Sequence, residues 1–118
     1  MQKVNGIGGV FFRARDPQAL RVWYETHLGV AHNGPVPWQQ REGYTVFAPF
    51  AQDTGYFGRS EQQWMINFRV DDLAALIWQL EAAGIIVETN PDWDSAVGKF
   101  ARIHDPEGNP VELWQPNQ

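Results

Sequence analysis

Cysteine is absent from the 118-residue sequence, which excludes disulfides and metal sites built on thiolates. Basic runs are also absent. The sequence contains nine Lys and Arg and fourteen Asp and Glu, which gives a formal net charge of -5. This charge argues against a nucleic-acid partner, because phosphate binding needs a basic surface. No apolar run approaches the roughly 18 residues that cross a membrane, and the first residues carry no apolar signal-peptide core. We therefore expect a cytoplasmic protein that acts without nucleic acid or membrane.

Aromatic residues, by contrast, are abundant, with six Trp and seven Phe. Tryptophan is favoured where one side of the ring packs and its other edge meets a ligand or a partner. The hydrophobic share of 43% and the charged share of 19% are ordinary for a globular chain. A chain of 118 residues forms one domain and is short of two full ones. We therefore predict a single domain over residues 1–118.

A turn near the end of the chain gives the clearest local pattern. Asp105-Pro106-Glu107-Gly108 has Asp, Pro and Gly at the first, second and fourth positions, as in a type I turn. Side chains alternate in character on both sides of it, which predicts two paired antiparallel strands, Gly98–His104 and Val111–Gln115. One face of this hairpin carries Arg102, His104, Glu112 and Trp114. A guanidinium, an imidazole, a carboxylate and an indole on one wall predict the lining of a cavity.

The first half of the chain predicts one helix among several strands. Asp16-Pro17 combines a helix N-cap with Pro at the first helical position, and Gly29 ends the helix. An apolar stripe at helical spacing lies between them: Leu20, Trp23, Tyr24, His27 and Leu28. The predicted strands are Val4–Ala14, Val30–Asn33, the hairpin arms Trp38–Arg41 and Tyr44–Ala48, and Thr54–Phe57, followed by a polar linker at Gly58–Gln62.

The pattern then restarts about half a chain later. The segment from Phe12 to Leu20 aligns with that from Phe68 to Leu76, with Phe, Arg, Asp, Ala and Leu at the same offsets. The second copy predicts a strand at Trp64–Val70, a helix at Leu73–Ala83, a strand at Ile86–Thr89 and the closing hairpin. We therefore predict an α+β fold of two repeated βαβββ modules, about 1–58 and 63–118, whose curved mixed sheets surround a cavity.

Alternation within the first strand of each module predicts which side chains face that cavity. The even-numbered residues are uniformly apolar and are expected to pack under the helices: Val10, Phe12, Ile66 and Phe68. The odd-numbered residues are mixed and are expected to face the cavity: Gly9, Phe11, Arg13, Met65, Asn67 and Arg69.

The repeated βαβββ unit, together with the segment Asp105-Pro106-Glu107-Gly108-Asn109-Pro110-Val111-Glu112-Leu113-Trp114, resembles the vicinal oxygen chelate superfamily. This superfamily contains glyoxalases, bleomycin-resistance proteins and extradiol dioxygenases. The resemblance covers essentially the whole chain, and the D-P-x-G-N-x-x-E-L segment is its most specific part. It implies paired modules around a cavity in which the family's enzymes hold a divalent metal that binds two neighbouring substrate oxygens.

The resemblance also implies where such a metal would be held. The corresponding positions are Gly9, Phe47 or Ala48, Met65 and Glu112. Of these, only Glu112 offers a ligand for a hard divalent ion, and one carboxylate falls short of the three or four ligands that a site needs. We therefore expect no metal cofactor; if a metal binds, Glu112 holds it, with His104 or His32 as a substitute ligand.

An ion pair is the predicted replacement for the metal. In the predicted hairpin Arg102 lies directly opposite Glu112, within side-chain reach. The alternative is that both side chains point into water on an exposed face. His104, close to Glu112, fits a general acid–base, or else a histidine that only packs.

The predicted ligand-binding residues combine arginines with an apolar lining: Phe11, Arg13, Phe47, Met65, Asn67, Arg69, Arg102 and Trp114. Clustered arginines in an acidic protein suit a small anionic ligand. Alternatively, Arg13 and Arg69 pair with acids where the modules meet, and the apolar residues fill the core.

Two functions therefore remain open. The first is a bleomycin-resistance-like protein that binds a small organic ligand, with an anionic group suited to the arginines, and without metal. The alternative is a metal-dependent glyoxalase-like lyase or dioxygenase-like enzyme that uses Glu112, with His104 as proton shuttle. Open concave sheets and edge strands require burial, so a homodimer is expected in either case.

Overall fold

A computed structural model describes residues 1–117. Within this range the elements are helix α1 (Pro17–Leu28), strand β1 (Ile66–Arg69), helix α2 (Leu73–Ala82), a 3₁₀ turn (Pro91–Trp93), strand β2 (Gly98–His104) and strand β3 (Pro110–Pro116). The protein is therefore α+β, as predicted. None of the helices in residues 1–117 has the length and apolarity needed to cross a bilayer.

Helix α1 begins and ends where the sequence predicts. The Asp16 side chain accepts a hydrogen bond from the N–H of Ala19 at 3.1 Å, which satisfies one of the free donors at the helix start. At the other end Gly29 adopts a left-handed φ of 72°, and its N–H donates to the Glu25 carbonyl at 3.1 Å. Leu20 and Tyr24 are the buried residues of the predicted apolar stripe.

Helix α2 has the same kind of start but a different end. Asp72 accepts from the N–H of Ala75 at 3.0 Å, which confirms the repeated Asp cap. The helix ends at Ala82, one residue earlier than predicted, and Ala83 is its C-cap. Gly84 follows with a left-handed φ of 83° and carries the chain away from the helix.

The three strands form one mixed sheet in the order β1-β3-β2. Strands β2 and β3 are antiparallel, with Arg102 opposite Glu112 and His104 opposite Pro110, the register predicted from the turn. Strand β1 runs parallel to β3 and places Asn67 beside Glu112. The sheet therefore brings polar residues from three separated parts of the chain onto one face.

The core lies between the other face of this sheet and the two helices. The buried side chains in this layer are Leu20, Tyr24, Leu73, Leu80, Ala101, Ile103, Val111 and Leu113. Ile66 and Phe68 of β1 lie in register with Val111 and Leu113, and Phe68 packs against the core. The predicted alternation is confirmed for the second half of the chain, so the mixed face is the one that points away from the helices.

The first half of the chain forms less regular structure than predicted. Before residue 63 the structure describes helix α1 and an isolated bridge between Asn33 and Val36, and it pairs none of the segments Val4–Ala14, Trp38–Arg41, Tyr44–Ala48 and Thr54–Phe57 as a strand. In the second half, Ile86–Thr89 is reduced to one bridge between Glu88 and Arg102. Alternation marks a possible strand, but a strand exists only where a neighbour accepts and donates its hydrogen bonds. The described sheet thus corresponds to about one module.

The Asp105 turn connects the hairpin to helix α1. Asp105 is only 4% exposed, and its carboxylate accepts from the N–H groups of Glu107 at 2.8 Å and Asn109 at 3.0 Å, from the Asn109 amide at 2.8 Å and from the Tyr24 hydroxyl at 2.7 Å. The N–H of Gly108 donates to the Asp105 carbonyl at 2.9 Å and closes the predicted turn. The Glu107 carboxylate in turn accepts from the two N–H groups that precede the helix, at 2.7 and 3.0 Å.

The bond between Tyr24 and Asp105 should stabilise the fold measurably. Tyr24→Phe keeps the ring in the core but removes a donor from a buried carboxylate. We expect the free energy of unfolding in urea to fall by about 1.5–3 kcal/mol, the range for hydrogen bonds to charged groups. Tyr44→Phe, at a tyrosine that is 86% exposed, is the control and should change it by less than about 0.5 kcal/mol. Equal values for the two variants would contradict the role given to this bond.

Candidate functional site

The mixed face of the sheet carries two parallel rows of side chains. The register aligns Asn67, Glu112 and Arg102 in one row across the three strands. It aligns Arg69, Trp114 and Phe100 in the next row. Because consecutive residues on one face of a strand are about 7 Å apart, the polar row and the aromatic row are neighbours. The candidate site is this face together with the segments that cover it.

Glu112 lies at the centre of the polar row and is 9% exposed. One carboxylate oxygen accepts from the side-chain amide of Asn67 at 2.7 Å, and the other accepts a hydrogen bond from the hydroxyl of Tyr56. Both donors are neutral, and together they engage both oxygens. Glu112 is therefore a buried, hydrogen-bonded carboxylate.

Burial raises the pKa of Tyr56 to about 12, with the hydrogen bond and the negative charge of Glu112 acting in the same direction and Arg102 opposing them. The Tyr56 hydroxyl is therefore protonated at neutral pH and donates to Glu112.

Arg102 is held by aromatic rings. Its guanidinium carbon lies 4.5 Å from the ring centre of Tyr56 and 5.6 Å from that of Trp93, distances at which a cation is attracted to the ring face. Its Nε and Nη2 atoms are buried and have no hydrogen-bond partner among the residues that the structure describes. A buried N–H without an acceptor is costly, about 1–3 kcal/mol, so these two donors favour the approach of an acceptor.

The predicted ion pair between Arg102 and Glu112 is not formed. The two residues are opposite each other as expected, but the salt bridges within residues 1–117 do not include this pair. Tyr56 and Asn67 engage the carboxylate, and the guanidinium is turned towards the rings instead. The alternative of two solvated side chains is not found either, because Glu112 and two of the three guanidinium nitrogens of Arg102 are buried.

The aromatic row is fixed by its own contacts. Trp114 stacks on Phe100 with ring centres 6.2 Å apart and an angle of 5°. The indole N–H of Trp114 donates to the carbonyl of Val97 at 2.9 Å, which sets the orientation of the ring. Gly98 permits this approach, because a Cβ there would overlap the Gln115 carbonyl and the indole nitrogen.

Arg69 is engaged by the main chain. Its Nη2 donates to the Arg41 carbonyl at 2.9 Å, and a Cβ on Gly43 would overlap the guanidinium. The structure thus pairs this arginine with a backbone carbonyl rather than with one of the acids considered in the sequence analysis.

His104 lies at the end of β2, away from the centre of the site. Its Nδ1 atom is 3.8 Å from a carboxylate oxygen of Glu88, and both side chains are about half exposed. The structure therefore pairs His104 with Glu88 rather than with Glu112. This placement gives no support to the predicted general acid–base at Glu112.

The remaining predicted ligand-binding residues do not gather at the candidate site. Phe11 and Phe47 are 97% and 86% exposed, and Arg13 is exposed as well. Met65 is half-buried immediately before β1. The structure thus brings together Asn67, Arg102, Glu112 and Trp114 from the predicted set, with Arg69 beside Trp114 in the aromatic row.

Tyr56 and Trp93 were missed by the sequence analysis. Tyr56 lies in a segment predicted as a strand, but it belongs to an aromatic group in which its ring stacks on Phe50 at 5.5 Å and contacts Phe57. The close spacing of these three aromatic residues along the chain was the available signal. Trp93 lies between the predicted strand Ile86–Thr89 and the closing hairpin, and its position depends on a 3₁₀ turn.

The donors around Glu112 do not suit a hard divalent ion. Such an ion needs several anionic or carbonyl oxygens or imidazoles, whereas Glu112 is surrounded by a phenol, an amide nitrogen and a guanidinium. Within residues 1–117 no three His, Cys, Asp or Glu side chains are grouped so as to hold a metal. No reaction step at this site is therefore assigned to a metal.

Comparison with known proteins identifies the family. The family model of a glyoxalase-like domain matches residues 9–114, so the chain belongs to the glyoxalase-like family of the vicinal oxygen chelate superfamily. Similar solved structures include TnmS3, an antibiotic-binding protein from Streptomyces sp. CB03234, at 30% identity over 48% of this chain and 46% of that chain, with a TM-score of 0.41. A glyoxalase/bleomycin resistance protein from the same organism is 29% identical over 46% of each chain, with a TM-score of 0.39.

These matches span just under half of each of the two solved chains. No curated protein matches the sequence.

The raised pKa of Tyr56 predicts how stability responds to alkali. The folded state favours the protonated phenol, so this contribution is fully present below the ordinary pKa of 10 and is lost as the pH rises towards about 12. Tyr56→Phe should therefore make the decline of the unfolding free energy from pH 10 to pH 12 shallower, as measured by urea denaturation at a series of pH values. Below pH 10 the two proteins should change in parallel; equal slopes above it would contradict the assignment.

Proposed function

We propose that the protein binds a small organic anion on the mixed face of the sheet, with Arg102 as the contact for the anionic group and without a metal. The observation that supports this is the pair of buried, unpartnered nitrogens, Nε and Nη2 of Arg102. These atoms form one edge of the guanidinium. A carboxylate can accept two parallel N–H···O bonds from such an edge.

The surroundings of Arg102 favour an anion with a flat organic body. Tyr56 and Trp93 flank the guanidinium, and the stacked Phe100–Trp114 pair occupies the neighbouring row. Aromatic faces pack well on other flat rings. An aromatic carboxylate therefore matches both the charge and the lining, and a binding site of few polar groups among aromatic ones is typical of small-molecule sites.

The enzymatic alternative, a metal-dependent lyase or dioxygenase at Glu112, has less support. Its central residue is engaged by two neutral donors, and its proposed proton shuttle, His104, lies beside Glu88. Metal analysis of gently purified protein separates the two functions. Stoichiometric Mn, Fe, Ni or Zn that is lost in Glu112→Ala would overturn the metal-free proposal.

We also propose that two copies of the chain associate. Large apolar side chains are exposed in two segments of the first half: Val4, Ile7, Val10 and Phe11 in one, and Val46, Phe47 and Phe50 in the other. Exposed apolar groups of this extent are typical of interfaces, and a second copy is the commonest way to cover them. Light scattering during gel filtration tests this, and a monomer at micromolar concentration would contradict it.

Arg102 should control the affinity for carboxylates. We would test a panel of aromatic carboxylates and their uncharged amides. We expect the carboxylates, but not the amides, to raise the melting temperature of the protein, because a ligand that binds the folded state stabilises it. Arg102→Met should weaken calorimetric binding roughly 10- to 100-fold, the loss of one charge-assisted contact. Arg102→Lys should also bind less tightly, because it keeps the charge but loses the paired donors.

The matched control is Arg21→Met, at an exposed arginine on helix α1, which should leave binding unchanged. Binding of the amides as tightly as the carboxylates, or failure of every carboxylate to bind, would refute the proposed function.

A further inference from the structure

The most informative feature of the site is a pair of opposite charges that lie opposite each other but do not pair. Arg102 and Glu112 are direct cross-strand partners, and the Cβ atoms of such partners are about 4.5–5.5 Å apart. Both side chains are long enough to meet, and a buried carboxylate beside a guanidinium with two buried nitrogens would ordinarily form a charge-assisted bond. Something in the structure therefore keeps them apart.

We propose that Tyr56 is a positioning residue that holds Glu112 away from Arg102 and so keeps the guanidinium edge available to the ligand. This inference rests on the proposed function, because it explains why Arg102 is available to bind an anion.

The contacts of Glu112 show how the separation works. Asn67, on the neighbouring strand β1, donates to one carboxylate oxygen at 2.7 Å, and that strand lies on the side of β3 opposite to Arg102. The Tyr56 hydroxyl donates to the other oxygen. If this second donor were removed, the freed oxygen would find the nearest unpartnered donor in the same row, the Arg102 guanidinium.

Tyr56 also contacts the positive member of the pair. Its ring centre is 4.5 Å from the guanidinium carbon, so one side chain binds the carboxylate through its hydroxyl and the cation through its ring. The ring is held by stacking on Phe50, with an angle of 18° between the planes. The Tyr56 N–H donates to the hydroxyl oxygen of Thr54 at 3.2 Å, which fixes the backbone locally. Tyr56 is thus held in place by its own segment.

The hydroxyl and the ring can be separated by mutation. Tyr56→Phe keeps the ring over Arg102 and removes only the donor to Glu112. We expect Glu112 then to pair with Arg102, and the affinity for an aromatic carboxylate such as benzoate, measured by calorimetry, to fall about tenfold. Tyr44→Phe, which removes the hydroxyl of an exposed tyrosine, is the matched control and should bind as the unmodified protein does.

Rescue distinguishes positioning from a direct contact with the ligand. Glu112→Gln in the Tyr56→Phe background removes the competing charge, so it should restore benzoate affinity, and its effect should be clearly larger there than in the protein with Tyr56. If Tyr56 instead donated its hydroxyl to the ligand, the second substitution would give the same change in both backgrounds. That result would overturn the inference.

A second measurement needs no ligand. Unfolding free energies of Arg102→Met, Glu112→Gln and the double variant give the coupling between the two residues. We expect coupling in the Tyr56→Phe background and little in the protein with Tyr56; equal coupling in both would overturn the inference. If no carboxylate binds, the proposed function fails while this cycle still decides the role of Tyr56. If carboxylates bind through Arg102 and Tyr56→Phe binds them equally well, the inference alone fails.

Discussion

The buried carboxylate of Asp105 is the constraint on which the rest of the structure depends. A carboxylate taken out of water is costly unless its oxygens are hydrogen-bonded, and here four donors surround it, from the turn, from Asn109 and from Tyr24 of helix α1. These bonds set the number of residues in the turn and hence the register of β2 against β3. A slip by one residue would exchange the core face of a strand with the mixed face. The most specific part of the family motif thus has a structural role.

The candidate site follows from that register. Because Asp105 fixes the turn, Arg102 lies opposite Glu112, and the parallel strand β1 adds Asn67 to the same row. Opposite charges that face each other on neighbouring strands ordinarily form an ion pair. Two segments outside the sheet change this result, since Tyr56 binds the carboxylate and, with Trp93, the face of the guanidinium. The sheet therefore supplies the charges, and the covering segments determine which partners they have.

The parts of the fold that could be predicted are those with local causes. The caps at Asp16 and Asp72, the turn at Asp105 and the alternation along β2 and β3 all act over a few residues, and the sequence shows them directly. The strands predicted between Val4 and Phe57 depend on distant hydrogen-bonding partners, which alternation does not identify. Tyr56 and Trp93 lie in segments outside the regular helices and strands, so their positions at the site do not follow from any periodic pattern in the sequence.

The carboxylate of Glu112 has a role in this structure that differs from the metal-binding role implied by the resemblance. The resemblance to the superfamily makes it a metal position, and a metal would require further anionic or imidazole ligands that converge on the same point. The residues that converge here are instead a phenol, an amide and a guanidinium. Two neutral donors engage the carboxylate, and its acceptance of one of these hydrogen bonds fixes the hydroxyl of Tyr56. With further anionic or imidazole neighbours, this carboxylate would be suited to hold a cation. With the neighbours present here, Glu112 instead fixes the side chain of Tyr56, and Nε and Nη2 of Arg102 have no hydrogen-bond partner among the described residues.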